Sequence, residues 1–147
     1  MKNIILILCI SVFIFSCKDK SGVTPTKTTA EVLVQNSWQL DRYSDENGKT
    51  ISNSSLNIQA LALYGLIFEF RANQETRASD KLTKNIVNKG TWALNADSTQ
   101  MKINIDGFNG NFGIVSAVQG KLILNSGTDG FLSGVGSNIR LEFSESK

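Results

Sequence analysis

The sequence contains no histidine, and its only two cysteines, Cys9 and Cys17, lie near the amino terminus. Without histidine, the chain cannot form a Ser-His-Asp triad or an imidazole metal site. Without a cysteine after residue 17, the folded part cannot contain an internal disulfide, a thiolate zinc site or a cysteine nucleophile. These absences exclude the commonest nucleophilic and metal-dependent enzyme classes.

Charged residues are also few, at 19% of the chain, and the formal net charge is +2. The basic residues are scattered singly, whereas nucleic-acid binders concentrate Lys and Arg on one face to neutralise phosphates. We therefore predict no nucleic-acid partner. The densest basic group is Lys81, Lys84 and Lys89, which we interpret as a solvated strand edge, because lysine there blocks pairing with another sheet.

The carboxylates do not indicate a catalytic site, because most lie at predicted turns or on the polar side of alternating strands. No recognisable motif places two of them as general acid and base. The oxygen-rich segment 104–111 does not have the EF-hand spacing and is interpreted as a hairpin turn. We therefore predict a protein that is not an enzyme and that uses no metal or cofactor. The carboxylates considered are Asp41, Glu69, Asp80, Asp97, Asp106 and Glu142.

The amino terminus carries a targeting signal. Lys2 precedes a largely apolar run over residues 4–15, which is too short for a stable membrane-spanning helix and is typical of a signal peptide. The sequence Ile14-Phe15-Ser16-Cys17 resembles a lipobox, the site where a bacterial lipoprotein is acylated on Cys and cut before it. The resemblance implies a cleaved signal peptide at 1–16, lipidation of Cys17, and a membrane as partner through that lipid. Because no Asp directly follows Cys17, the outer membrane is the favoured location.

Residues 17–30 are polar and contain the only proline, so we predict a lipidated flexible tether there. The folded domain is predicted at 31–147. Residues 31–35 have the composition of one helical turn, for which Thr29 is the predicted cap.

Beyond this turn, apolar and polar residues alternate with period two, as in Met101, Ile103 and Ile105. At least seven short antiparallel strands joined by hairpins are predicted, which indicates an all-β domain, either a sandwich or an up-and-down barrel. Segment 56–66 is interpreted as a helical insert, with another strand as the alternative. Segment 126–138 contains four glycines and is predicted to be a long loop of the kind that often carries function.

Five short motifs together resemble the lipocalin-like domain of Gram-negative lipoproteins. They are Asn36-Ser37-Trp38-Gln39-Leu40, Ile67-Phe68-Glu69-Phe70, Gly90-Thr91-Trp92-Ala93-Leu94, Leu122-Ile123-Leu124 and Ile139-Arg140-Leu141-Glu142-Phe143. The resemblance covers 31–147 and implies a small antiparallel up-and-down barrel of about eight strands, with one packed end and one open cup. It also implies that Trp38 closes the floor beneath Arg140, with Asn36 where lipocalins have glycine.

The predicted inner face is rich in aromatic residues. If side chains do not fill the barrel, these residues line an apolar cup, so the leading functional hypothesis is binding of a small apolar ligand in the cell envelope. The alternative is an interaction or assembly module with a filled barrel, whose loops, above all 126–138, contact another envelope protein. The candidate ligand-lining residues are Trp38, Phe68, Phe70, Trp92, Ile103, Phe112 and Phe143.

Overall fold

A computed structural model describes residues 26–127, 132, 135–136 and 138–147. The predicted signal peptide 1–16, Cys17 and most of the predicted tether lie outside the described residues. The same is true of much of the predicted loop 126–138.

The described residues form two short α-helices, two 3-10 turns and eight strands. In chain order these are α1 (Thr29–Gln35), β1 (Ser37–Ser44), a 3-10 turn (Asn53–Ser55), α2 (Ile58–Ala62), a 3-10 turn (Leu63–Gly65), β2 (Leu66–Phe70), β3 (Glu75–Asp80), β4 (Ile86–Leu94), β5 (Gln100–Ile105), β6 (Phe108–Val118), β7 (Lys121–Ser126) and β8 (Ile139–Glu145).

The eight strands pair antiparallel in chain order, and β8 closes the sheet against β1. This confirms the predicted all-β up-and-down barrel. Closure leaves no edge among the described strands, so the interpretation of Lys81, Lys84 and Lys89 as an edge was wrong. Lys81 and Lys84 lie in the turn between β3 and β4, and Lys89 lies in β4, which pairs with β3 and β5.

The helix before the barrel begins two residues earlier than predicted, and its cap is Thr28, not Thr29. The Glu31 amide donates to Thr28 Oγ1 at 3.3 Å, and the Thr28 amide donates to Glu31 Oε2 at 2.7 Å. This reciprocal pair is a capping box, and the backbone hydrogen bond from Thr28 lowers the pKa of Glu31. Val32 and Leu33 of α1 are buried in the barrel core.

The connection between β1 and β2 contains α2 and its flanking 3-10 turns, which confirms the helical interpretation of segment 56–66. Asn57 caps α2 by accepting a hydrogen bond from the Ala60 amide at 2.8 Å. Strand β3 was not predicted. Its buried residues include Thr76, which is polar, and Ala78, which is small, so the strand shows no strong alternating hydrophobic signal.

Within the described part of the chain, all strand pairings fall between Ser37 and Glu145, and one apolar cluster runs from Val32 to Phe143. A chain that begins at Lys18 therefore contains all eight strands of the barrel and this core, so we expect it to fold. Among the helices of the described residues, none reaches the length and apolarity that crossing a membrane requires.

Candidate functional site in the barrel interior and at its two ends

The seven candidate ligand-lining residues all lie inside the barrel. None of them exposes more than 6% of its surface, and all belong to the same core cluster. The structure therefore brings together Trp38, Phe68, Phe70, Trp92, Ile103, Phe112 and Phe143 as the alternating pattern indicated.

Aromatic rings occupy the middle of the interior. The Phe108 ring centroid lies 5.0 Å from that of Phe68 and 5.0 Å from that of Phe112, and Phe143 meets Phe68 edge to face at 6.1 Å. These separations are those of rings in direct contact. Phe108 was not among the predicted lining residues, although it continues the alternation of Phe112 backward along β6.

One end of the barrel, the α1 end, is where β1 begins. Here Trp38 Nε1 donates a hydrogen bond of 3.1 Å to the carbonyl of Leu33 in α1. That carbonyl is in the last turn of the helix, where no intrahelical donor is available. The floor is thus closed by Trp38 and the helix.

The pairing of Trp38 with Arg140 that the resemblance implied was wrong. Trp38 stands opposite Glu145 in the β1–β8 register, whereas Arg140 stands opposite Ser44. The two side chains therefore lie at opposite ends of the same strand pair, because the strands are antiparallel.

The other end, which we call the distal end, is covered by the connection between β1 and β2. The Tyr43 hydroxyl donates to the Ala60 carbonyl at 2.9 Å, and burial raises the pKa of Tyr43, which keeps the hydroxyl protonated as a donor. Leu56, Ala60 and Leu63 of this connection are buried in the barrel core. Apolar side chains therefore fill this end where the resemblance implied an open cup.

Two clefts lie at the α1 end, outside the packed interior. One has a volume of about 500 Å³ and is lined by Phe70, and the other has a volume of about 440 Å³ and is lined by Trp92. Val34 of α1 and Ala72 of the β2–β3 turn line both clefts. Phe70 and Trp92 also contact each other, with ring centroids 5.7 Å apart. Phe70 and Trp92 therefore border these clefts although both residues are buried.

Thr76 carries a buried hydroxyl that has no hydrogen-bond partner among the described residues. In the register, Thr76 stands between Phe70 of β2 and Gly90 of β4. An unpaired buried hydroxyl is destabilising, so a hydrogen bond between the Thr76 hydroxyl and a water molecule would stabilise the fold.

Glu142 was predicted on the polar side of an alternating strand, and it does lie on the outer face of β8, but its carboxylate is buried there. Its Oε1 accepts a hydrogen bond of 2.6 Å from Ser44 Oγ, and its Oε2 pairs with Arg42 Nη2 at 2.9 Å. Burial acts to raise the pKa of Glu142, but the hydrogen bonds and the positive charge of Arg42 outweigh it and lower the pKa. The carboxylate therefore joins β1 to β8, which is the seam that closes the barrel.

Because the pKa of Glu142 is lowered in the folded state, its stabilisation is present above the unfolded value of 4.5 and is lost as the pH falls through the folded value. We expect Glu142→Gln to lower the free energy of unfolding at pH 7 by about 1–3 kcal/mol and to flatten its decline below pH 4.5. Urea unfolding at several pH values measures both effects. Glu46→Gln, at an exposed turn, is the control, and an equally flattened curve for it would contradict this role.

The other carboxylates do not assemble into a metal site, since no group of three or more His, Cys, Asp or Glu side chains in the described part of the chain is placed to hold an ion. Segment 104–111 is a hairpin, as interpreted, with Asp106 and Gly107 at the turn between β5 and β6. Asp80 accepts hydrogen bonds within the β3–β4 turn, and those from Thr83 lower its pKa most.

Comparison with known proteins supports the fold. The chain is similar to a crystal structure of a DUF4847 family protein from Bacteroides vulgatus ATCC 8482, with a TM-score of 0.54 and 15% sequence identity over 82% of this chain and 99% of that chain. No family model and no curated protein matches the sequence. At this level of identity, the likeness concerns the barrel architecture alone.

Proposed function

We propose that this chain is a lipid-anchored protein of the bacterial outer membrane whose barrel is a filled interaction module. The observation that carries the proposal is the packing of Phe68, Phe108 and Phe112 in ring contact across the interior. Segments at both ends add to it, because α1 and the β1–β2 connection place buried apolar side chains in the same core. A barrel packed in this way acts through its outer surface.

The lipid anchor is supported by the lipobox resemblance at Ile14-Phe15-Ser16-Cys17. We expect Cys17→Ala to abolish labelling by a radioactive fatty acid, because the thiol that receives the acyl chain is gone, and to leave the protein uncut or in the soluble fraction. Cys9→Ala is the control and should be labelled normally. Unchanged labelling and membrane retention of the Cys17 variant would contradict the anchor.

The surface offered for contact lies at the distal end. Exposed apolar side chains collect on α2, on the β3–β4 turn and at the start of β4, which all lie at that end, and Ile58 alone is 83% exposed. Exposed apolar groups of this kind mark interaction sites more often than scattered single residues do. The residues are Ile58, Leu61, Leu82, Ile86 and Val87.

A second candidate function is binding of a small apolar ligand, the leading hypothesis from the sequence. It is favoured by the clefts beside α1, which Phe70 and Trp92 line. Titration with an apolar dye, combined with Ile103→Trp for the interior and Ala72→Trp for the clefts, separates the two functions, because a filled barrel has no room for the dye or for a larger ring.

A further inference from the structure

The turn between β3 and β4 projects an apolar side chain at its tip. Leu82 is 90% exposed, the highest value among the large hydrophobic residues of the described part of the chain. It stands between Lys81 and Lys84, both exposed, and Lys89 follows on β4, also exposed. An apolar tip flanked by cations is thus presented at the distal end.

The tip is held in one conformation by hydrogen bonds. Asp80 Oδ1 accepts from the Leu82 amide at 3.0 Å and from the Thr83 amide at 2.7 Å. The Lys81 amide donates to the Gly65 carbonyl at 2.8 Å, which ties the turn to the segment after α2. The exposure of Leu82 is therefore built into an ordered turn.

The charge around the tip is positive. Residues 80–89 contain three lysines and one acid, Asp80, whose carboxylate is occupied within the turn. Asp106 of the adjoining turn adds one negative charge near Asn88, whose side chain donates to the Asp106 carbonyl at 3.1 Å. The net charge of the hairpin and this neighbour remains positive, which complements an anionic surface.

We propose that the β3–β4 hairpin docks on an anionic phospholipid bilayer, with Leu82 inserted at the interface and Lys81 and Lys84 on the phosphate groups. A protein partner normally requires about 800 Å² of complementary surface on each side, whereas an apolar side chain that protrudes between lysines can enter a fluid bilayer without one. Lysines near an anionic leaflet supply the electrostatic attraction. This inference deepens the proposed function by naming the partner of the distal end.

The lipid anchor makes a weak contact of this kind effective. Residues 18–27 separate Cys17 from the capping Thr28 and span about 35 Å when extended. The nine residues of β4 rise about 30 Å along the strand, so the distal end can reach the bilayer that holds the anchor. Tethering raises the effective concentration of the hairpin at that surface.

The test uses the chain from Lys18, which contains the whole barrel and lacks the lipid. We expect it to co-sediment with vesicles of phosphatidylglycerol and phosphatidylcholine and to bind pure phosphatidylcholine at least tenfold more weakly. Leu82→Ser should lower the partition coefficient on the anionic vesicles about tenfold because the inserted side chain is lost. The double variant Lys81→Gln, Lys84→Gln should lower it about 25-fold because two phosphate contacts are lost.

Val118→Ser is the matched control, because Val118 is 53% exposed and lies at the α1 end. It should bind the anionic vesicles as the unmodified chain does. A fluorophore on Leu82→Cys should shift to the blue on vesicles, and the same label on Val118→Cys should not. The chain from Lys18 contains no other thiol, so the label reports the chosen site alone.

Equal binding to neutral and anionic vesicles, or equal losses for Leu82→Ser and Val118→Ser, would overturn the proposal. Absence of vesicle binding would also overturn the proposal. The same conclusion would follow if the hairpin variants weakened binding to an acidic protein and the chain did not bind vesicles. A failure here leaves the filled barrel intact, because dye titration tests the interior separately. Saturable dye binding inside the barrel would overturn the filled module and leave the vesicle result unaffected.

Discussion

Gly90→Ala is expected to lower the free energy of unfolding by about 3 kcal/mol or more, at the upper end of what overpacking costs. A Cβ atom on Gly90 would lie 2.0 Å from the Asn104 carbonyl oxygen and 2.9 Å from the Ile105 Cα. These are backbone atoms of β5, so no side-chain rotation relieves the clash. Strands β4 and β5 would have to separate, beside the position where Trp92 stands opposite Ile103.

Gly113→Ala provides the control for this substitution. Gly113 is also in a strand, but its added Cβ would meet Asn125 Cβ at 3.7 Å, an ordinary contact. We expect a change within about 1 kcal/mol, because alanine also lowers the conformational entropy of the unfolded chain. Urea unfolding monitored by tryptophan fluorescence measures both variants. Similar losses for the two would contradict the close approach at Gly90.

Ile103→Trp is expected to destabilise the barrel by about 1–3 kcal/mol, and the unmodified chain is expected to bind no apolar dye saturably. Ile103 is buried and stands opposite Trp92 and Gly110 in the register, so a larger ring has to displace packed neighbours. Thermal unfolding measures the first effect, and dye titration followed by tryptophan fluorescence measures the second. Ile86→Trp is the control, because Ile86 is 44% exposed and a ring there faces solvent.

The opposite result, saturable dye binding, would identify a protein that carries a small apolar ligand. One dye bound per barrel, weakened by Ile103→Trp without loss of stability, would mean that the substitution fills free volume. Dye that Ile103→Trp leaves in place but Ala72→Trp displaces would instead locate the ligand in the clefts beside α1, which Ala72 lines. Each outcome assigns the apolar surface to a different function.

Much of the barrel was predictable because it depends on local patterns. Alternation along a strand reflects a side-chain period of two, so Met101, Ile103 and Ile105 indicate β5 without any knowledge of its neighbours. The capping box of Thr28 and Glu31 is also local, since its two partners are three residues apart. Strand β3 was missed because Thr76 carries no hydrophobic signal, although it is fully buried.

The candidate site was predictable as a set of inward-facing residues but not as a cavity. Whether rings fill a barrel depends on how strands from distant parts of the chain align, as in the contact of Phe68 with Phe143. The same is true of Glu142, whose partners Arg42 and Ser44 lie about 100 residues away. No pattern within a single strand encodes such a pairing.

The sequence by itself determined seven of the eight strands, the resemblance to a lipobox, and the absence of histidine and thiol chemistry from the folded part, because each depends on residue type or on neighbours along the chain. Only the tertiary structure decided that the barrel closes, that Trp38 bonds to α1 while Arg140 stands at the other end, and that Phe108 completes the packed interior. These features depend on strand register and on the segments that cover each end, which follow from long-range packing.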